Sequence, residues 1–138
     1  MPVQKTVRRN DLIEPELSFK LIGLLYNVSD ELGPGLQERY YQKASAQAFT
    51  EAKISFREQA VIPLQFSNRA IGRYFADFII ENKIVLELKK GNRVIRKHVM
   101  QLLAYLKTTH LPLGILVYFG TDSLFFKRIV NFETFNNS

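Results

Sequence analysis

Two strand-like stretches of this chain each hold a carboxylate where a buried strand should hold none. Glu87 and then Lys89 interrupt Ile84-Val85-Leu86-Glu87-Leu88-Lys89, and Asp77 interrupts Tyr74-Phe75-Ala76-Asp77-Phe78-Ile79-Ile80. Taking a carboxylate out of water costs on the order of several kcal/mol unless something compensates. Glu81-Asn82-Lys83 between the stretches reads as a tight turn. A three-residue turn there sets Asp77 opposite Glu87, with Cβ atoms roughly 4.5–5.5 Å apart. A slip of one residue would send the two side chains to opposite faces. Carboxylates that close repel each other unless a cation lies between them. Strand alternation puts Lys89 on the Glu87 side.

The rest of the pattern gives these strands a frame. Apolar spacing predicts a helix over Leu17 to Leu32, closed by Gly33 and Pro34, and a second from Leu36 to Ala52 with Tyr40, Tyr41, Ala44, Ala48 and Ala52 on its apolar face. Strands are expected over Ile54 to Gln59, Ala60 to Phe66, Ile71 to Ile80 and Lys83 to Lys89, with Pro63 marking an edge or a bend. A helix over Arg96 to Thr109 follows, then strands at Leu113 to Phe119 and Leu124 to Phe132. This order predicts a mixed α/β fold, a central sheet flanked by helices. With 138 residues and 46% hydrophobic content, one domain over 1–138 with its own core is expected, its first ten residues loosely held.

Composition narrows the cation. Without cysteine there are no disulfides and no thiolate zinc sites, and His98 and His110 are the only histidines. Oxygen ligands remain, which favour Mg²⁺ or Mn²⁺. The first ten residues lack the apolar run of a secretory signal, and Leu111 to Phe119 is too short to cross a membrane. A soluble, cytoplasmic protein with no membrane partner is the expectation.

The net charge of +6 admits a polyanionic partner. Its placement says more. Lys89, Lys90, Arg93, Arg96, Lys97 and His98 fall within ten residues of one another, and Arg69 and Arg73 lie just before Asp77. Positive charge beside a carboxylate pair suits a phosphodiester substrate. Asp77 and Glu87, helped by the Leu88 carbonyl, would hold Mg²⁺ to polarise a phosphoryl oxygen and acidify water. Lys89 would orient or deprotonate that water, or stabilise the pentacovalent phosphorus. Lys90, Arg93, Arg96, Lys97 and Arg73 would contact the nucleic acid. From Asp77, Glu87 and Lys89 alone, a salt-bridged Glu87–Lys89 or Asp77–lysine pair within a sheet accounts for the pattern equally well.

Two further patterns bear on that choice. Gly35-Leu36-Gln37-Glu38-Arg39-Tyr40-Tyr41 sets Glu38 and Tyr41 on one face of the second helix; Glu38 also suits the helix dipole, which is its plainer reading. Gln101 and Tyr105, four apart, share a face of the third helix, where a polar edge is again the plainer reading. As an ordered set, Gly33 to Tyr41, Ala76 to Ile80, Ile84 to Lys89, Gln101 to Leu106 and Gly114 to Gly120 resemble the GxxExxY family of the PD-(D/E)XK nuclease-like superfamily. The resemblance spans about Leu17 to Asn131, with Ala76 standing where the superfamily motif carries proline. It implies a restriction-endonuclease-like core with an antiparallel meander, and Asp77, Glu87 and Lys89 as signature residues. It implies that Glu38 serves the metal and that Gln101, Tyr105 and Tyr41 support the site or meet substrate. The function implied is a metal-dependent nuclease, with DNA favoured over RNA. A homodimer would let two sites address a duplex, and a partner protein could supply targeting. The alternative is a nucleic-acid-binding module, or a subunit of a larger DNA-processing complex, that does not cleave.

Overall fold

A computed structural model describes residues 13–133. The N-terminal residues expected to be loose lie outside the described residues. Helix α1 (Pro15–Leu32) begins on proline, whose missing amide costs nothing in a first turn, and buries Leu21, Ile22, Leu25 and Val28 along one stripe. It stops at Gly33, where φ is 75° and the amide donates to the Ser29 carbonyl. Helix α2 (Glu38–Glu51) buries Tyr41, Ser45 and Phe49. That stripe, spaced by four, turns Tyr40 out to solvent, contrary to the expected apolar face. The Tyr41 hydroxyl donates to the Gly33 carbonyl at 2.6 Å and accepts from the Leu36 amide at 3.3 Å. It therefore fixes the turn that aims the first residue of α2, Glu38.

Five strands form one sheet in sequence order: β1 (Phe56–Phe66), β2 (Arg69–Ile80), β3 (Ile84–Lys90), β4 (Leu113–Phe119) and β5 (Leu124–Val130). The two strands expected over 54–66 are one, with Pro63 on the sheet's edge. Ser67 and Asn68, at φ 51° and 64°, make the two-residue turn into β2. β1, β2 and β3 form an antiparallel meander, β3 and β4 run parallel, and β5 returns antiparallel to β4. The parallel step needs a crossover, and helix α3 (Arg96–Thr109) provides it. Helix and strand pack tightly there: a Cβ added to Gly114 would meet the Leu102 side chain at 2.9 Å.

Each face of the sheet carries an apolar core. One gathers Leu21, Leu25, Phe49, Phe78, Leu86 and Val117 under α1 and α2. The other gathers Val85, Leu102, Tyr105, Leu106, Leu116 and Tyr118 under α3. With helices on both faces, β4 is buried at every position, as a central parallel strand should be. The expected fold class is therefore what the chain adopts, with strand ends within about two residues of those predicted. Among the described residues, no helix is long and apolar enough to cross a membrane.

Candidate active site

The β2–β3 ladder ends at Phe78↔Leu86. One step further, Asp77 and Glu87 face each other as the hairpin arithmetic requires, and side chains replace the backbone ladder. Glu87 Oε2 accepts the Asp77 amide at 2.6 Å, and Asp77 Oδ2 accepts the Leu88 amide at 2.8 Å. Each carboxylate thus occupies an amide of the opposite strand. On the other flank of β2, Gln59 falls across from Asp77, between the pairs Glu58↔Phe78 and Ala60↔Ala76. Its φ of 49° takes it out of the ladder, and its side-chain amide favours the charged form of Asp77.

Electrostatics make this pair costly. Glu87 is 4% exposed. Burial, then the neighbouring Asp77 charge, push its carboxyl up to about 8. Burial also raises Asp77, against the opposing pull of the Leu88 amide and the Lys89 charge. Lys89 is half-buried and makes no ion pair among the described residues; the ion pair found is Lys83–Glu14 at 3.9 Å. A salt-bridged sheet is therefore not what holds these groups. Backbone amides hold the carboxylates, and the lysine acts on them only through its field.

Around this centre the structure sorts the other expected residues. Glu38 is exposed and accepts the Lys90 amide at 3.1 Å, close enough for its charge to raise both carboxyls. Tyr105 is buried beneath the pair, its hydroxyl pushed up to about 12 by burial and then by the Glu87 charge. Gln101 is half-buried one turn before it. Tyr41 is buried and stacked on Phe119 at 4.2 Å, so it supports the start of α2 and cannot touch a substrate. Arg93, Arg96 and Lys97 are exposed, whereas the Lys90 ammonium reaches back to the Gly35 carbonyl at 3.4 Å. Arg73 stands apart from them on β2.

His98 belongs to the site in a way the charge count missed. Its Nδ1 meets the Tyr118 hydroxyl at 2.8 Å, and that hydroxyl accepts the Ile95 amide at 2.9 Å. With the Ile95 amide on one lone pair, the hydroxyl keeps a proton and a second lone pair for the His98 ring nitrogen. Burial and then the Lys89 charge lower the His98 pKa, so the ring is poorly described as one of the cations of this segment. Gln59 was missed for another reason: splitting β1 at residue 59 hid its position opposite Asp77.

The donor set suits a hard divalent cation. Both groups offer carboxylate oxygens, and their mutual repulsion and burial are the penalties such an ion would relieve. Among the described residues, however, no three acidic or histidine side chains converge into a ready cage, because Glu38 is drawn toward Lys90. Asp77 and Glu87 are the candidate ligands. Leu88 enters through its amide.

A family model described as the PD-(D/E)XK nuclease superfamily matches residues 15–129. The chain belongs to that superfamily. The stretch matched runs from the start of α1 into β5 and takes in every element of this site. No curated protein matches the chain. Among solved structures, an alkaline exonuclease (LHK-Exo) from Laribacter hongkongensis matches with a TM-score of 0.48 at 11% identity, over 82% of this chain and 79% of that one. SSO0001 matches with a TM-score of 0.45 at 19% identity, over 80% of this chain, which spans 66% of its length.

Proposed function

We propose that this PD-(D/E)XK protein is a metal-dependent nuclease that hydrolyses phosphodiester bonds, with DNA the favoured substrate. The reciprocal Asp77–Glu87 arrangement carries the reading. A sheet gains nothing from a buried Glu87 set against a half-buried Asp77, both with raised carboxyls and the Asp77 charge adding to the Glu87 shift, whereas a cation site needs such a pair. The Gly35-x-x-Glu38-x-x-Tyr41 pattern supports assigning it to the GxxExxY branch, and the lack of cysteine suits a cytoplasmic setting.

Asp77 and Glu87, with the Leu88 carbonyl, would hold Mg²⁺ or Mn²⁺. Bound there, the ion supplies Lewis acidity at a phosphoryl oxygen. Lys89, free of any carboxylate partner among the described residues, presents Nζ–H donors to the attacking water or to the charge that builds on phosphorus. Tyr105 keeps its proton at every ordinary pH and remains a donor beneath the pair. Glu38 holds the end of β3 through the Lys90 amide and adds negative potential at the cation position. Arg93, Arg96 and Lys97 supply exposed positive charge for the phosphate backbone.

The test is cleavage of labelled single- and double-stranded DNA and RNA with Mg²⁺ or Mn²⁺, beside identically purified variants. Lys89→Ala should lower cleavage ~10²-fold to ~10⁴-fold while leaving binding largely intact. Asp77→Asn and Glu87→Gln should abolish cleavage and weaken cation binding. Parent-like cleavage by all three variants would falsify the site. A second reading, a binding module that does not cleave, draws on the absence of a third acidic side chain converging on the pair among the described residues. Binding without cleavage on every substrate would favour it.

A further inference from the structure

Pairing between β1 and β2 continues to Phe66↔Arg69, well past the last β2–β3 pair at Phe78↔Leu86. Beyond Asp77 the two strands therefore leave the sheet as a ribbon rooted at the carboxylates. The residues 60–76 that form it include Arg69 and Arg73 and no aspartate or glutamate. Ile62 is buried at its root, but four of its large apolar side chains are turned to solvent: Phe66 is 71% exposed, Ile71 68%, Phe75 45% and Tyr74 43%. Isolated apolar residues on a surface need no explanation, but a concentration of them on one projecting element does. The Arg73 guanidinium lies 5.5 Å over the Phe75 ring, on the same face two residues away. Tyr74, on the other face, rests 5.7 Å from the Tyr105 ring, three residues from Asp77.

A second copy adding a strand to this edge is a poor occupant. Pro63 and the left-handed Gln59 interrupt the row of edge groups that strand addition needs. Arginines without acids, interleaved with open aromatic faces, instead match a chain that offers phosphates and bases together. A duplex offers its phosphates but keeps its base faces stacked inside.

We propose that the β1–β2 ribbon is a stacking arm for unpaired nucleotides, so that the strand delivered to Asp77 and Glu87 is single-stranded or an unpaired end. This deepens the nuclease reading and rests on it for the cleavage step, but the arm can be tested without cleavage. The experiment is fluorescence anisotropy on the full chain in EDTA, with a labelled single-stranded oligonucleotide and its blunt duplex. Parent, Phe75→Ala, Phe66→Ala and the double variant are compared. Both side chains are exposed, so folding should persist, and circular dichroism verifies it. The parent should prefer the single strand, and the double variant should lose ~5-fold to ~100-fold on it while changing by under ~2-fold on the duplex. Equal losses on both, no loss on either, or a parent that prefers the duplex would overturn the arm. So would a parent dimer that the double variant converts to monomer with single-strand affinity unchanged. Cleavage that depends on Lys89, with single-strand binding indifferent to the phenylalanines, sinks the arm and spares the nuclease. Stacking loss in a protein that never cleaves does the reverse.

Discussion

β3 and β4 lie side by side, paired from Ile84↔Leu113 to Lys90↔Phe119, yet they treat the same environment differently. β4 is buried along its whole length and carries no charge. β3 is buried through Leu88 but sets Glu87 against Leu116 of its neighbour. Two things allow this. The β2–β3 ladder ends one residue earlier, which frees the Asp77 and Leu88 amides for carboxylates, and Lys89 adds a cation two residues on. Leu116 has no such relief, since β3 and β5 pair with it on both sides. A carboxylate in a sheet is thus tolerated where the backbone stops pairing with itself.

The largest expected effect moves the charge across this pair. Leu116→Glu should cost ~4 kcal/mol or more, because its carboxylate would enter the α3-side core with no amide free to meet it. Urea denaturation followed by circular dichroism measures it. A variant within about 1 kcal/mol of the parent would mean that β3 and β4 are equivalent environments and that Glu87 needs no special provision.

Glu87→Gln works in the opposite direction. Its carboxyl stands near 8 in the folded chain against 4.5 ordinarily, so the native state binds a proton that the unfolded state has released. Parent stability should therefore be greatest below about pH 4.5 as far as this group is concerned, fall as pH rises, and level off above about 8. At pH 7 the accumulated loss is on the order of 3 kcal/mol. Glutamine keeps an oxygen for the Asp77 amide without the charge, so the variant should be more stable than the parent at pH 8 while losing its cleavage. Thermal melts across pH 5 to 9 make the comparison, and added Mn²⁺ should rescue the parent selectively. Identical pH profiles would remove Glu87 as the costly member of the pair.

These contrasts explain what could be read in advance. Asp77 and Glu87 were legible because a strand's period of two and a short turn leave little freedom, so simple counting set them opposite each other. The core strands were legible from their unbroken apolar runs. Gln59 was not, because a left-handed residue inside β1 breaks the same period that reveals strands. Glu38 was identifiable as a helix-start acid, but its hold on the Lys90 amide depends on how α2 docks, which no local pattern encodes. His98 entered as one more positive residue, since only the fold brings the Tyr118 hydroxyl and the Lys89 charge against it. Tyr40 and Tyr41 are adjacent and both aromatic; the turn held by the Tyr41 hydroxyl decides which is buried.

The smallest effects lie where β3 hands the chain to α3 and charge leaves the sheet altogether. Arg96 and Lys97 stand in the first turn of α3, which has no acidic residue. A cation there opposes the helix dipole, so Arg96→Ala should raise stability by ~0.3–0.5 kcal/mol. If these cations face phosphates, Arg93→Ala and Arg96→Ala should each flatten the salt dependence of nucleic-acid binding by about 0.7–0.9 in the log–log slope. Lys90→Ala should change the slope less, because its ammonium already engages the Gly35 carbonyl. Binding titrations from about 50 to 200 mM salt separate the three. An unchanged slope in Arg93→Ala and Arg96→Ala would take this segment out of the substrate path. A changed slope together with a gain in stability would place it beside Glu87 as a second position where the fold gives up stability for binding, there to a cation and here to a polyanion.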